Sequence, residues 1–155
     1  MIFVTIGGFR AFDRLVCQMD RIAGEVEDRV MMQIGFTEYE PMNCEWRRFM
    51  SRTEMEEACA GARLIIAHAG TGSILTALEH NKPLVLVPRL KAFAEVFDDH
   101  QMEIAREMEG RGVTVVYDIG NLEAAIRDAG PALPAPAADN TLIERLREYL
   151  DGLEE

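Results

Sequence analysis

Short runs of apolar residues recur along the chain and alternate with stretches whose apolar positions fall at helical spacing. Residues 2–6 form a β-rich run that ends at Gly7-Gly8. The stripe Phe12, Leu15, Val16, Met19, Ile22 and Ala23 then has the i, i+3, i+4 periodicity of a helix with one buried face. Residues 29–34 read as a buried second strand ending at Gly35, residues 36–43 as irregular, and residues 46–50 as a third strand. Thr53 with Glu56 three positions on matches a capping box and predicts a short helix to about Ala60. Residues 64–67 and 84–87 are apolar throughout, as expected of strands covered on both faces. Between them a helix runs from about Gly72 to Asn81, stopped by Lys82-Pro83. A loop over residues 89–97, a helix over about 98–109, a sixth strand over 113–117 and a short helix capped by Asn121 follow.

This alternation predicts an α/β fold: a Rossmann-like open parallel sheet with helices on both faces. Residues 1–130 form the domain, and the Pro/Ala-rich stretch 131–138 reads as a semi-rigid linker. Residues 139–155 then carry an amphipathic helix, with Leu142, Ile143, Leu146, Tyr149, Leu150 and Leu153 on one face and a second capping box at Thr141 and Glu144. A helix of this length is marginal alone and must pack, either on its own domain or on a partner.

Composition narrows the partners. The chain has 155 residues and a formal net charge of -11, with no basic cluster beyond pairs such as Arg47-Arg48. Nucleic acid is therefore excluded, and direct adsorption to an anionic membrane is disfavoured. No apolar run reaches the ~20 residues of a membrane span. The first residues read as a strand rather than a signal peptide. Three widely spaced cysteines indicate neither a disulfide framework nor a zinc site. A cytoplasmic protein is expected, peripheral at the membrane only through a partner.

The candidate chemistry centres on His68-Ala69-Gly70-Thr71-Gly72-Ser73, where an apolar strand stops and a helix begins. Glycines here let the backbone approach a phosphate, and the helix start offers a positive dipole end. Ser73 either donates to a phosphate or caps the helix. His68 stands at a strand's carboxyl end, where ligands bind in open α/β sheets. There it either hydrogen-bonds or, protonated, offsets charge on a diphosphate. Gly7-Gly8 forms either a second ligand-facing loop or a plain strand-to-helix turn, and it is not a full dinucleotide fingerprint. Asp98-Asp99-His100-Gln101 opens the next helix; Asp98 and Gln101 match a capping box, and the same four polar groups suit recognition of sugar hydroxyls. Trp46 and Phe49 have spacing for stacking on a base, although core packing is the commoner fate of such a pair. No Walker lysine, serine elbow or Cys/His nucleophile pattern is present.

Taken together, HAGTGSI, the following KPLVLVP and the DDHQ run, with the opening FVTIGG and FDRL, resemble the C-terminal, donor-binding half of GT-B glycosyltransferases, and glycosyltransferase family 28 in particular. The likeness is to its short, single-domain members, which act as soluble subunits of two-component transferases. The resemblance implies a UDP-sugar donor, no cofactor and no bound metal. It assigns the diphosphate to His68, Gly70, Thr71, Gly72 and Ser73 with Gly7 and Gly8 facing it. Asp98, Asp99, His100 and Gln101 fall to the sugar, and the region 49–51 to the uracil. Relatives usually carry a ribose-gripping glutamate three residues after the motif serine; here that position is Thr76, with Glu79 a further three residues on.

A complete enzyme of this kind needs two Rossmann-like halves, and 155 residues hold one. The acceptor site and the general base are therefore expected on a membrane-anchored partner that binds a polyprenyl-diphosphate-linked sugar. The alternatives are a non-catalytic nucleotide-sugar-binding module and a homo-oligomer whose copies serve as each other's acceptor half.

Overall fold

The computed structural model describes residues 1–133 and 141–153. Six parallel strands form one open sheet: β1 (Ile2–Thr5), β2 (Val30–Gln33), β3 (Glu45–Arg47), β4 (Leu64–Ala67), β5 (Leu84–Leu86) and β6 (Thr114–Val115). Their order is β3-β2-β1-β4-β5-β6, with Ile2 beside both Val30 and Leu64 at the start of the central register. The chain thus builds outward from β1 to β3, returns to β4 and builds outward the other way. The switch lies between β1 and β4, and the loops leaving those two strands part there.

The central strands are apolar along their length because both faces are covered. On one face, α1 (Asp13–Ala23) and α5 (Leu122–Arg127) bury Leu15, Val16, Met19, Ile22, Leu122 and Ile126 against Ile2, Val4, Met32, Leu64 and Ile66. On the other, α2 (Arg52–Gly61), α3 (Thr71–Glu79) and α4 (His100–Gly110) cover Phe3, Ile65, Ala67 and Leu86 with Cys59, Ile74, Ala77, Ile104 and Met108. Each large side chain so buried contributes roughly 1.5–3 kcal/mol. The expected doubly covered parallel sheet is therefore what the sequence forms. The last helix, α6 (Thr141–Leu153), packs on α3 through fully buried Leu146, and Arg147 pairs with Glu79 at 2.9 Å.

Several local expectations change. Two overlapping Ser/Thr-x-x-Glu patterns lie two residues apart, and the helix uses the earlier one. Ser51 leaves β3 in extended backbone, its hydroxyl accepts from the Glu54 N–H at 3.2 Å, and the Glu54 carboxylate accepts from the Ser51 N–H at 2.7 Å. The box expected at Thr53 and Glu56 is not formed. The third strand is Glu45–Arg47 rather than 46–50, because the chain turns at Arg48 to reach that cap. Residues 89–97 are not all loop but include a 3-10 turn, Lys91–Phe93. Asn121 closes a 3-10 turn whose cap is Asp118, accepting from the Gly120 N–H at 2.9 Å, so Asn121 gives α5 no side-chain cap. The irregular stretch 36–43 is pinned by buried Asp20, which accepts from the Tyr39 hydroxyl at 2.6 Å and the Asn43 N–H at 2.7 Å. The greater part of the 131–138 linker, the Thr141 side chain and those of Leu142, Ile143, Leu150 and Leu153 lie outside the described residues.

Both sheet edges are blunt. β6 has two residues, and β3 presents exposed Glu45 and Arg47, which pair with Arg29 and Glu54.

Candidate functional site

At the switch point the loops leaving β1 and β4 meet around one imidazole. The His68 N–H donates to the Thr5 carbonyl at 3.3 Å, which continues the β1–β4 ladder one residue past the strand and directs the ring into the gap. Glycine is required on both sides of it. A Cβ on Gly7, whose φ is +74°, would lie 2.8 Å from His68 Cε1, and a Cβ on Gly70 would lie 2.1 Å from Nε2. Gly7-Gly8 is therefore more than a plain turn. Its first residue is fixed by φ and by the histidine.

One edge of the His68 ring lines a cavity while Nδ1 is enclosed and has no hydrogen-bond partner among the described residues. Burial, reinforced by the nearby Arg89 cation, lowers its pKa to about 3. At neutral pH the ring is neutral, which removes the imidazolium alternative for the free protein. His68 is a hydrogen-bonding group rather than a charge. Its unfolded pKa is near 6.5, so between about 6.5 and 3 the unfolded state binds the extra proton and stability is lost as the pH is lowered. Taking the wild type from pH 7 to pH 5 should cost about 2 kcal/mol at this group. Denaturant titrations should show that increment missing in His68→Asn.

Two adjoining cavities open at the carboxyl ends of the strands and share Gly7 and Gly8. The first, about 460 Å³, is lined by Thr5, Gln33, Phe49, Met50, Gly72, Ser73, Thr76 and Glu79 among others. The second, about 270 Å³, is lined by His68, Gly70, Thr71, Arg89, Asp98, His100 and Gln101 among others. The start of α3 stands between them, with Gly70 and Thr71 facing one and Gly72 and Ser73 the other. Its first turn carries backbone N–H groups that have no intrahelical acceptor. The α3 N-cap is Gly70, with no side-chain cap, so Ser73 is not a capping residue.

The acidic run divides. Asp98 accepts from the His100 N–H at 3.1 Å, and α4 begins at His100 with Asp99 as its N-cap residue. Gln101 does not close a capping box. Its Oε1 instead accepts from the Arg89 N–H at 3.0 Å, because that donor at the end of β5 has no ladder partner. The bond fixes the Gln101 amide with its NH2 left to donate. Asp99 lies off the lining of the second cavity while its three neighbours line it.

Thr76 does not stand in for a ribose-gripping carboxylate. Its hydroxyl donates to the Gly72 carbonyl at 2.9 Å, so toward a ligand it can only accept. Glu79 lines the same cavity, but its carboxylate holds Arg147 of α6. The two aromatics separate: the Trp46 indole donates to the Pro41 carbonyl and packs on the core, whereas Phe49 is exposed at the first cavity, edge-on to Phe36.

Two residues essential to this geometry carry no motif. Arg89, 4% exposed, donates from Nη2 to the Ile6 and Arg10 carbonyls, both at 2.8 Å, with Phe12 under its guanidinium at 4.9 Å. Burial, with Arg10 adding to it, lowers its pKa to about 10, and it stays charged at neutral pH. Gln33 donates to the Gly7 and Arg48 carbonyls at 3.0 and 2.9 Å and accepts from the Thr5 hydroxyl at 2.8 Å. A charged residue directly after an apolar strand, and a polar residue closing another, were the available signals. Among the described residues no group of three or more His, Cys, Asp or Glu side chains is placed to hold a metal ion. No helix among them is long and apolar enough to cross a membrane.

The family described as glycosyltransferase family 28 C-terminal domain matches residues 1–148. The UDP-N-acetylglucosamine transferase subunit ALG13 of Candida albicans is 40% identical over 65 residues, 42% of this chain and 21% of that protein. The human ALG13 is 30% identical over 121 residues, 72% of this chain and 10% of that protein. The chain thus spans between a tenth and about a fifth of the length of these two relatives. Among solved structures, that of ALG13 by NMR aligns with a TM-score of 0.63 at 23% identity, covering 94% of this chain and 93% of that one. The calicheamicin glycosyltransferase CalG4 aligns with a TM-score of 0.64 at 21% identity, covering 99% of this chain and 39% of that one.

Proposed function

The chain belongs to the glycosyltransferase family 28 C-terminal domain family, and from that membership we propose that it is the donor-binding subunit of an inverting UDP-sugar glycosyltransferase. The donor sugar is a hexose, hexuronic acid or N-acetylhexosamine. The acceptor is a polyprenyl-diphosphate-linked sugar held by a membrane-anchored subunit, in polysaccharide or oligosaccharide synthesis at the cytoplasmic membrane face.

The observation that carries this reading is the pair of cavities sharing Gly7 and Gly8 with the α3 N-terminus between them. A nucleotide sugar has three unlike parts in a row, and the site offers three unlike environments in a row. Uracil lies in the first cavity beside Phe49 and Met50. The diphosphate crosses Gly7 and Gly8 onto Gly70, Thr71, Gly72 and Ser73, with neutral His68 donating a hydrogen bond. The sugar occupies the second cavity, where the Gln101 NH2 donates to it, His100 is within its walls and Asp98 accepts from its hydroxyls. As the glycosidic bond to UDP breaks, charge grows on the diphosphate. The helix dipole and the buried Arg89 cation are already oriented against that charge, so little reorganisation is needed. Asp98, the one carboxylate lining the second cavity among the described residues, is assigned to the sugar, so the general base is assigned to the acceptor subunit.

Calorimetry with UDP, UDP-glucose, UDP-glucuronic acid, UDP-galactose and UDP-N-acetylglucosamine tests the reading. Binding of UDP with a preference among the sugars is expected, and Gln101→Ala should lower affinity about tenfold and level the preference. Equal affinity for every sugar in both proteins would contradict a sugar-reading Gln101. The purified chain alone should transfer little or nothing, and robust transfer without a second subunit would contradict the division of labour. A second reading, a non-catalytic nucleotide-sugar sensor, is favoured by one observation: the Thr76 hydroxyl is already committed to Gly72. Donor binding without transfer in the presence of the acceptor subunit would select it.

A further inference from the structure

Between β5 and α4 the chain makes a tight excursion held on its inner side by a bidentate ion pair. The Arg14 guanidinium donates from Nε to Glu95 Oε1 at 2.9 Å and from Nη2 to Oε2 at 3.0 Å. The two side chains are 15% and 11% exposed, whereas in every other ion pair among the described residues at least one partner is a third exposed or more. Charges so far withdrawn from water lose their hydration, so such a pair is a weak source of net stability. What it supplies is direction. The Arg14 guanidinium also lies over the Phe12 and Phe93 rings, at 5.3 and 5.1 Å. Ala94 takes φ +55°, a left-handed backbone that an L residue adopts only at a cost. Directly beyond it Glu95 reaches back to Leu90 twice: its N–H donates to the Leu90 carbonyl at 3.3 Å, and its Oε2 accepts from the Leu90 N–H at 2.8 Å.

The backbone leaving β5 is thereby braced at three consecutive residues. The Pro88 carbonyl accepts from Arg14 Nη2 at 3.1 Å, the Arg89 N–H donates to Gln101 Oε1 at 3.0 Å, and the Leu90 N–H is held by Glu95. Neither Arg14 nor Glu95 lines either cavity of the site. They stand behind the second cavity and join its two walls. Arg14 lies in the first turn of α1, directly after the loop that supplies Gly7, Gly8, Phe9 and Arg10, and Glu95 directly precedes the segment that supplies Val96 and Asp98.

We propose that Glu95 is a positioning residue for the donor sugar: held by Arg14, it fixes the backbone of residues 88–90, and through the Arg89 N–H it fixes the amide of Gln101. The proposal rests on the donor-subunit reading and adds what aims the sugar-reading group. An amide whose Oε1 accepts from a fixed N–H has the direction of its NH2 set by the same bond. When residues 88–90 move, the NH2 moves with them, and a hydrogen bond weakens steeply once its distance or angle departs from the optimum. The glycine turn has anchors of its own. Gln33 holds the Gly7 carbonyl, and Arg89 holds those of Ile6 and Arg10. The uracil side of the nucleotide lies in the first cavity, whose walls make no bond to the pair. Loss of Glu95 therefore reaches the sugar and spares the UDP moiety.

A double-mutant cycle on the full chain tests this, read by calorimetry with UDP, UDP-glucose, UDP-glucuronic acid, UDP-galactose and UDP-N-acetylglucosamine. Glu95→Gln keeps an acceptor for the Leu90 N–H and removes the charge that holds Arg14. It should lower affinity for the UDP-sugar that the wild type binds best by about fivefold, the worth of one hydrogen bond, and leave UDP affinity within about twofold. Arg14→Lys keeps the charge but loses the fork, and should show the same pattern more weakly. In the Gln101→Ala background, Glu95→Gln should change UDP-sugar affinity by less than about twofold, because the group it positions is gone. Arg63→Gln, which breaks an exposed pair with Asp28, should change neither affinity. A merely structural Glu95 would weaken UDP and UDP-sugar alike, or would add its loss to that of Gln101→Ala. Either result would overturn the proposal, as would an unchanged UDP-sugar affinity in Glu95→Gln. Thermal unfolding checks that each variant is folded, and if Glu95→Gln is not, Arg14→Lys carries the same cycle. Absence of UDP-sugar binding by the wild type would sink the donor reading and this proposal together, whereas wild-type binding with additive losses sinks the proposal alone.

Discussion

Gly70→Ala is expected to weaken UDP-sugar binding by 100-fold or more. The backbone at Gly70 has φ -98° and ψ 140°, which alanine adopts freely, so the effect is steric. The new Cβ would fall 2.1 Å from His68 Nε2 and 2.8 Å from Cδ2. The ring cannot step aside, since Gly7 confines its other edge. Either the histidine leaves its socket or the turn moves away from the cavities, and in both cases the contact proposed for the diphosphate is lost. A stability cost of about 1–3 kcal/mol accompanies this, as for other overpacked interiors. Gly72→Ala makes the comparison informative, because a Cβ there meets nothing within 4 Å and a helical alanine stabilises by up to about 1 kcal/mol. Calorimetric titration and thermal unfolding of the two variants read both effects. Unchanged UDP-sugar affinity in Gly70→Ala would remove His68 and its turn from the diphosphate site.

Arg89→Leu should have the largest effect on the fold. It strips hydrogen bonds from the Ile6 and Arg10 carbonyls, one buried and one partly so, and no other donor to either is found among the described residues. Leaving two such groups unpaired costs roughly 3 kcal/mol or more. For a chain of this size that corresponds to a fall of about 10 °C in Tm. Arg89→Lys should recover part of it, since an ammonium reaches one carbonyl but lacks the guanidinium fork. Scanning calorimetry decides, and an Arg89→Leu midpoint within 2 °C of wild type would show the loop to be held by something else.

The fold class was legible because four-residue apolar runs between helical stripes leave few alternatives to a doubly covered parallel sheet. His68, Gly70 and Gly7 were legible because histidine and glycine at strand ends are unusual residue types in informative places. Other features depend on distance in space. Arg89 acts on Ile6 and Arg10, about 80 residues away, and Gln33 on Gly7, so neither partnership leaves a local pattern. The capping residue of α2 was misplaced for a different reason. Ser51-x-x-Glu54 and Thr53-x-x-Glu56 are equally good boxes, and only the extended backbone leaving β3 chooses between them. The same holds for Asp98 and Gln101, where the Arg89 N–H outcompetes the helix start for the glutamine. The exposure of Phe9, Phe36, Phe49, Phe93 and Phe97 was hidden by composition, because a phenylalanine between loop residues reads as core until the surface is seen.

The blunt sheet edges bear on how a surface that exposes five phenylalanines survives in a crowded solution. A parallel sheet with long open edges invites strand-to-strand adhesion, and exposed phenylalanines would hold the resulting clusters together. Here β6 is two residues long and β3 is fenced by the Arg29–Glu45 and Arg47–Glu54 pairs, so neither offers a template for growth. Long-range repulsion from a net charge of -11 keeps like molecules apart before the rings can touch. Colloidal stability is thus supplied by the sheet's borders and the chain's charge, which leaves the mouth of the site free to be sticky.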